Sequence, residues 1–186
     1  MTLDDILNET RSTMDKSIEF CKNQLGKIRT GRASASLVDG TKIDYYGQMT
    51  PLEQTASIST PDARTIMIQP WDRNQLQNIE KAIRQADLGF NPQNDGNVIR
   101  IPVPPLTEER RKEYVKLCKK YGEDSKIGIR NIRRDMMDML KQGEKDKDFS
   151  EDEKKRGEEE VQKITDEYVS KVDELVEKKE KQLMEE

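Results

Sequence analysis

The sequence predicts an α+β protein: an elongated three-helix bundle with a small β/α/β domain inserted between its first and second long helices. Three observations carry this expectation. Charged residues make up 38% of the chain and hydrophobic residues only 32%, which suits long solvated helices or disorder better than a compact ball. The apolar residues are nevertheless periodic, recurring in steps of three and four towards both ends of the chain, and this selects helices. All seven prolines and the single tryptophan, Trp71, fall between residues 31 and 105, where helical spacing gives way to short β-like runs.

The first helix is expected over residues 2–29, with Leu3, Leu7, Thr10, Met14, Ile18, Cys21, Leu25 and Ile28 forming one seam. Thr2 followed by Asp5 is an N-cap signature, and Thr30-Gly31 breaks the pattern. In the insert, strands are expected at Thr41–Tyr46, Thr55–Ser59, Arg64–Gln69 and Asn97–Pro102. A helix is expected at Asn74–Asp87, closed by Gly89 as its C-terminal cap. Pro102, Pro104 and Pro105 stiffen the return path, and Thr107 caps a second long helix running to about Leu140. Gln142-Gly143 should end that helix. Ser150 and Glu153 form a capping box for the last one, whose seam reads Val161, Ile164, Tyr168, Val172, Leu175, Lys179 and Leu183. Residues 1–30 and 105–186 therefore make the bundle and 31–104 the insert, with hinges near 30–31 and 103–105.

Charge is unevenly spread. The chain carries 33 basic and 37 acidic side chains, yet residues 106–141 hold 11 basic against 7 acidic and residues 144–186 hold 10 against 17. Winding the second long helix at about 100° per residue from Cys118 puts Lys112, Lys119, Lys126, Arg130 and Arg133 between about 60° and 120°, beside an apolar arc. Lys116 and Arg134 follow near 160° on the same winding. The stripe has two readings: a solvated face partly paired with the acidic last helix, or a phosphate-binding strip suited to guanidinium forks. Arg29 and Arg32 extend the positive surface at the end of the first helix.

Much chemistry is excluded. There is no histidine, so no histidine base, triad or metal ligand exists. Neither a Walker-type phosphate loop nor a GxGxxG fingerprint occurs. Cys21 and Cys118 lie on helical seams and read as buried thiols in a reducing compartment. Tyr45, Tyr46 and Trp71 are assigned to the small core of the insert, in preference to base stacking. No catalytic centre, metal or cofactor is expected, and no stretch reaches the length of a membrane span, so the chain reads as cytoplasmic. A helical adaptor would explain the seams, but not an insert with so distinctive a return.

Several blocks together resemble the ribosome recycling factor family, end to end: KIRTGRAS at Lys27–Ser34, YYG at Tyr45–Gly47 with Thr50-Pro51, Glu80–Ile83 with Asp87–Gly89, IPVPPLTEERRK at Ile101–Lys112, and RNIRRD at Arg130–Asp135. The resemblance implies an L-shaped monomer that binds the post-termination ribosome, mainly through large-subunit ribosomal RNA. With elongation factor G and GTP hydrolysis by that partner, it would split the subunits and release mRNA and tRNA. It also implies rRNA contacts at Arg29, Arg32, Arg111, Arg130, Arg133 and Arg134, and hinge segments at Thr30-Gly31 and Val103-Pro104-Pro105.

Overall fold

The computed structural model describes residues 1–185, which divide into two compact units, 1–30 with 108–185, and Gly31–Thr107. The first is a bundle of three helices: α1 (Leu3–Gly26), α3 (Glu108–Lys145) and α4 (Glu151–Met184). The second holds β1 (Lys42–Tyr45), β2 (Gln48–Pro51), β3 (Ala56–Asp62), β4 (Thr65–Pro70), α2 (Leu76–Gln85), β5 (Gln93–Asn94) and β6 (Ile99–Pro102).

The helices start where their caps dictate. The Thr2 hydroxyl accepts from the Asp5 N–H at 3.2 Å while the Asp5 carboxylate accepts from the Thr2 N–H at 2.8 Å. Ser150 and Glu153 repeat the arrangement at α4. In α1 the buried positions are Leu3, Ile6, Thr10, Met14, Ile18, Cys21 and Leu25, so Ile6 takes the central place expected of Leu7. Buried hydroxyls at Thr10 and Thr165 donate to the carbonyls four residues earlier, both at 2.7 Å, and so sit in the seam without an unmet donor. The Tyr168 ring is buried, and its hydroxyl reaches the Asp15 carboxylate on α1. Desolvation, then that carboxylate, pushes the phenol up to about 12.

Expected boundaries moved where packing outweighed local preference. Gly143 does not end α3, which runs on to Lys145. A β-carbon at Gly143 would collide with the Phe149 ring, so this glycine is a point of close approach and not a breaker. The helix closes at Lys147, whose φ of 60° lets the Asp148 N–H reach the Gly143 carbonyl at 2.9 Å, a left-handed cap. Likewise α2 stops at Ala86, with Asp87 in the left-handed region (φ 49°), so Gly89 lies beyond its cap.

Both cysteine side chains are fully buried, and desolvation pushes the Cys118 thiol up to about 11. Native protein at neutral pH should therefore show no rapidly reacting thiol towards Ellman's reagent, and two after denaturation. A fast-reacting thiol in the native state would mean that the bundle opens locally around Cys118.

In the insert, β3-β4-β6-β5 form an antiparallel sheet and β1-β2 a separate ribbon. The register pairs Ile66 with Ile101 and Ile68 with Ile99, so four fully buried isoleucines share one face. They pack in one cluster with Leu76, Ile79 and Ile83 of α2. The strands expected at Thr41–Tyr46, Thr55–Ser59, Arg64–Gln69 and Asn97–Pro102 are present with shifted ends, and β2 and β5 are additional. The insert extends to Thr107 and not to residue 104. Val103 is buried in its core, and the Val103 N–H donates to the Arg64 carbonyl at 2.7 Å. The return boundary therefore falls where α3 begins.

Candidate nucleic-acid interface

Helix α3 is 38 residues long, about 57 Å at 1.5 Å per residue. Its buried positions, Cys118, Gly122, Ser125, Ile129, Met136 and Leu140, define the side facing α1 and α4. The basic stripe lies beside this face, and the structure splits the stripe lengthwise.

The inner edge is used in helix packing. Lys126 keeps only 16% of its side-chain exposure and pairs with Asp173 of α4 and with Glu123. The hydrogen bond to Asp173 raises the Lys126 pKa against the lowering effect of burial. Arg133 is half-buried and donates to the Gln162 side-chain oxygen at 3.0 Å. The Gln162 amide in turn donates to Asp166 at 2.9 Å. Part of the acidity of α4 thus has a structural use, facing the cations of α3.

The outer edge is open. Arg130, Arg134, Lys116 and Lys119 are exposed, and among the described residues neither Arg130 nor Arg134 has a hydrogen-bond or ion-pair partner. One helical turn apart, they present two adjacent guanidinium forks. Lys112 at the far end of the stripe pairs with Glu108 at 3.5 Å, and both are largely exposed. From Lys112 to Arg134 the stripe runs about 33 Å.

The remaining expected contacts lie elsewhere. Arg29 and Arg111 are half-buried, with the Nε atom of each withdrawn from solvent. Arg32 is exposed and belongs to the insert. Among the expected hinge residues, Thr30 is half-buried, and Pro104 and Pro105 are exposed. Gly31 is buried in the left-handed region (φ 79°), and its carbonyl accepts from Arg64 at 3.0 Å. Gly31 and Val103 are therefore both fastened within the insert.

Two aromatic residues assigned to the core are on the surface: Tyr46 and Trp71 are 68% and 67% exposed. The signal for Tyr46 was present in Tyr46-Gly47, a two-residue hairpin turn with positive φ at both positions, and a turn tip is exposed by construction. Position 71 carries no such signal.

The sequence profile of ribosome recycling factor matches residues 21–184. The chain belongs to the ribosome recycling factor family. It is 56% identical over 183 residues to the ribosome-recycling factor of Oleidesulfovibrio alaskensis, covering 98% of this chain and all of that one. A solution structure of a ribosome recycling factor superposes with a TM-score of 0.78 at 45% identity, covering 99% of this chain and 98% of that one. A second structural match comes from models for the T. thermophilus ribosome recycling factor and the E. coli elongation factor G bound to the E. coli post-termination complex. There the TM-score is 0.65 and the identity 50%, over 98% of this chain and 99% of that one. The family membership accounts for the helical bundle and the β-containing insert together. Among the described residues, no helix is long and apolar enough to cross a membrane.

Proposed function

We propose that this protein binds the post-termination ribosome through large-subunit ribosomal RNA. With elongation factor G and GTP hydrolysis by that partner, it splits the subunits so that mRNA and tRNA are released. The observation that carries this reading is the open outer edge of α3, where Arg130 and Arg134 stand unpartnered in a chain whose net charge is -4. A guanidinium pair left in solvent in an otherwise acidic protein suits a polyanion, and shape-directed contact with RNA phosphates needs little base readout. The family membership supplies the ribosome as the place where that polyanion is found.

In this reading the protein has no chemistry of its own; it is a cytoplasmic monomer that transmits work done by its GTPase partner. The hinge is proposed at Thr30 on the outward path and at Pro104-Pro105 on the return, because Gly31 and Val103 are held by Arg64. Light scattering of purified post-termination ribosomes tests the function. Adding this protein, elongation factor G and GTP should lower the scattering as subunits separate, and omitting any one of the three should abolish the change. Intact ribosomes in the complete mixture would sink the reading.

A further inference from the structure

One position in the seam of α4 is a charged residue. Leu175 and Leu183 stand one turn before and one turn after Lys179, so the helix carries this lysine onto its packed side. The side chain is half-buried, and among the described residues its amine has neither a hydrogen-bond nor an ion-pair partner. Burial holds the Lys179 pKa below the ordinary lysine value, outweighing the opposite influence of the Cys118 thiol on α3. A desolvated lysine presents its lone pair more often, which is how proteins make this side chain a nucleophile. Below the pKa, the gain in free amine exceeds the accompanying loss of intrinsic nucleophilicity, as it does for thiols.

The residue is not sealed in. Lys179 lines an open groove of about 170 Å³ between α1 and α4, with Lys22 and Leu25 from one helix and Leu175 and Lys178 from the other. That is space for several water molecules, or for one small anion. No acidic residue lines the groove, although the chain carries 37 of them. Lys22 pairs only with Glu19, at 3.5 Å and largely in solvent. Lys178 is exposed and, among the described residues, has no partner. Two solvated ammonium groups therefore share one small groove with a desolvated amine.

This arrangement suits an electrophile that carries its own phosphate. We propose that Lys179 is a site of direct acylation by a small acyl phosphate, whose phosphate group Lys22 and Lys178 hold in the groove. Lysine ammonium groups bind phosphate as point charges, and the reaction needs no further reagent. The free amine of Lys179 attacks the acyl carbonyl carbon, and a C–N bond forms as the carbonyl electrons move to oxygen. Their return breaks the C–O bond to phosphate. Inorganic phosphate leaves with that electron pair, and the surplus proton on nitrogen passes to water. The product is a neutral amide, which a half-buried position tolerates better than an ammonium.

Peptide mass spectrometry after a limiting dose of acetyl phosphate tests this on the full chain. In the native protein Lys179 should be acetylated at least about fivefold faster than Lys163, an exposed lysine of the same helix. In denaturant the two should react alike, because unfolding abolishes the groove. The double variant Lys22→Gln, Lys178→Gln changes exposed side chains only. It should acetylate Lys179 at least about threefold more slowly with acetyl phosphate, yet at the wild-type rate with N-acetoxysuccinimide, which carries no phosphate. Equal native rates at Lys179 and Lys163, or a preference for Lys179 that survives unfolding, would overturn the proposal. An undiminished rate of the double variant with acetyl phosphate, or an equal loss with both reagents, would overturn the phosphate seat and the proposal with it.

Discussion

Reversing Arg130 and Arg134 to Glu together should weaken binding to the large subunit by a factor on the order of 10² to 10⁴. Each guanidinium that bonds a phosphate contributes about 1.5–3 kcal/mol, and reversal adds repulsion to the loss. Because both side chains are exposed and unpartnered, the change should leave folding intact, within about 0.5 kcal/mol. Losing two phosphate contacts should also flatten the dependence of log affinity on log salt by about two units. Filter binding across a salt series measures both quantities. Arg133→Gln supplies the contrast. Arg133 is half-buried and engaged with Gln162 at 3.0 Å, so its substitution should act more on bundle stability, by about 1 kcal/mol, than on affinity. If Arg133→Gln proves the more damaging to binding, Arg133 must leave Gln162 on contact with RNA, and the grip lies on the inner edge of the stripe.

Gly157→Val should destabilise the bundle by about 3 kcal/mol and lower its melting temperature by about 10 °C or more. A β-carbon at Gly157 would lie 2.6 Å from Leu3 Cδ1 and 2.8 Å from Leu140 Cδ2, inside any tolerable contact. Leu140 is fully buried and cannot retreat without opening a void elsewhere, whereas Leu3 is the flexible end of a terminal turn. Gly157→Ala brings the same β-carbon without the two further methyl groups, and should cost about 1–2 kcal/mol, because better helix propensity, worth about 1 kcal/mol, offsets only part of the collision with Leu140. Thermal unfolding followed by circular dichroism separates the two. A wild-type melting temperature for the valine variant would mean that Leu3 of α1 and Leu140 of α3 can both yield to a side chain on α4.

The helices were legible because they are specified locally. A three/four apolar spacing and a Thr-x-x-Asp or Ser-x-x-Glu cap are properties of neighbouring residues, and the seams Met14–Ile18–Cys21–Leu25 and Val161–Ile164–Tyr168–Val172 are buried as that spacing requires. The short strands β2 and β5 escaped because Gln48–Pro51 and Gln93–Asn94 have no apolar alternation; pairing with β1 and β6 makes them strands. Gly143 was read as a breaker because a lone glycine carries the same local signal whether it ends a helix or admits a ring from another segment. Only the arrival of Phe149 distinguishes the two.

The basic stripe divides along the same line. Composition and winding by themselves determined that α3 carries an excess of cations, which of its sides is apolar and which basic. They could not say which cations the neighbouring helix consumes. Lys126 and Arg133 lie nearest in angle to the buried face, and the acids and amides of α4 claim them; Arg130 and Arg134, farther round, remain in water. The exposure of Trp71 was likewise settled by tertiary structure, because an aromatic residue in a small α/β unit is buried or displayed according to where the sheet and helix run out of surface to cover. Periodicity measures what a residue's own element requires of it, and partnership is a property of the element that packs alongside.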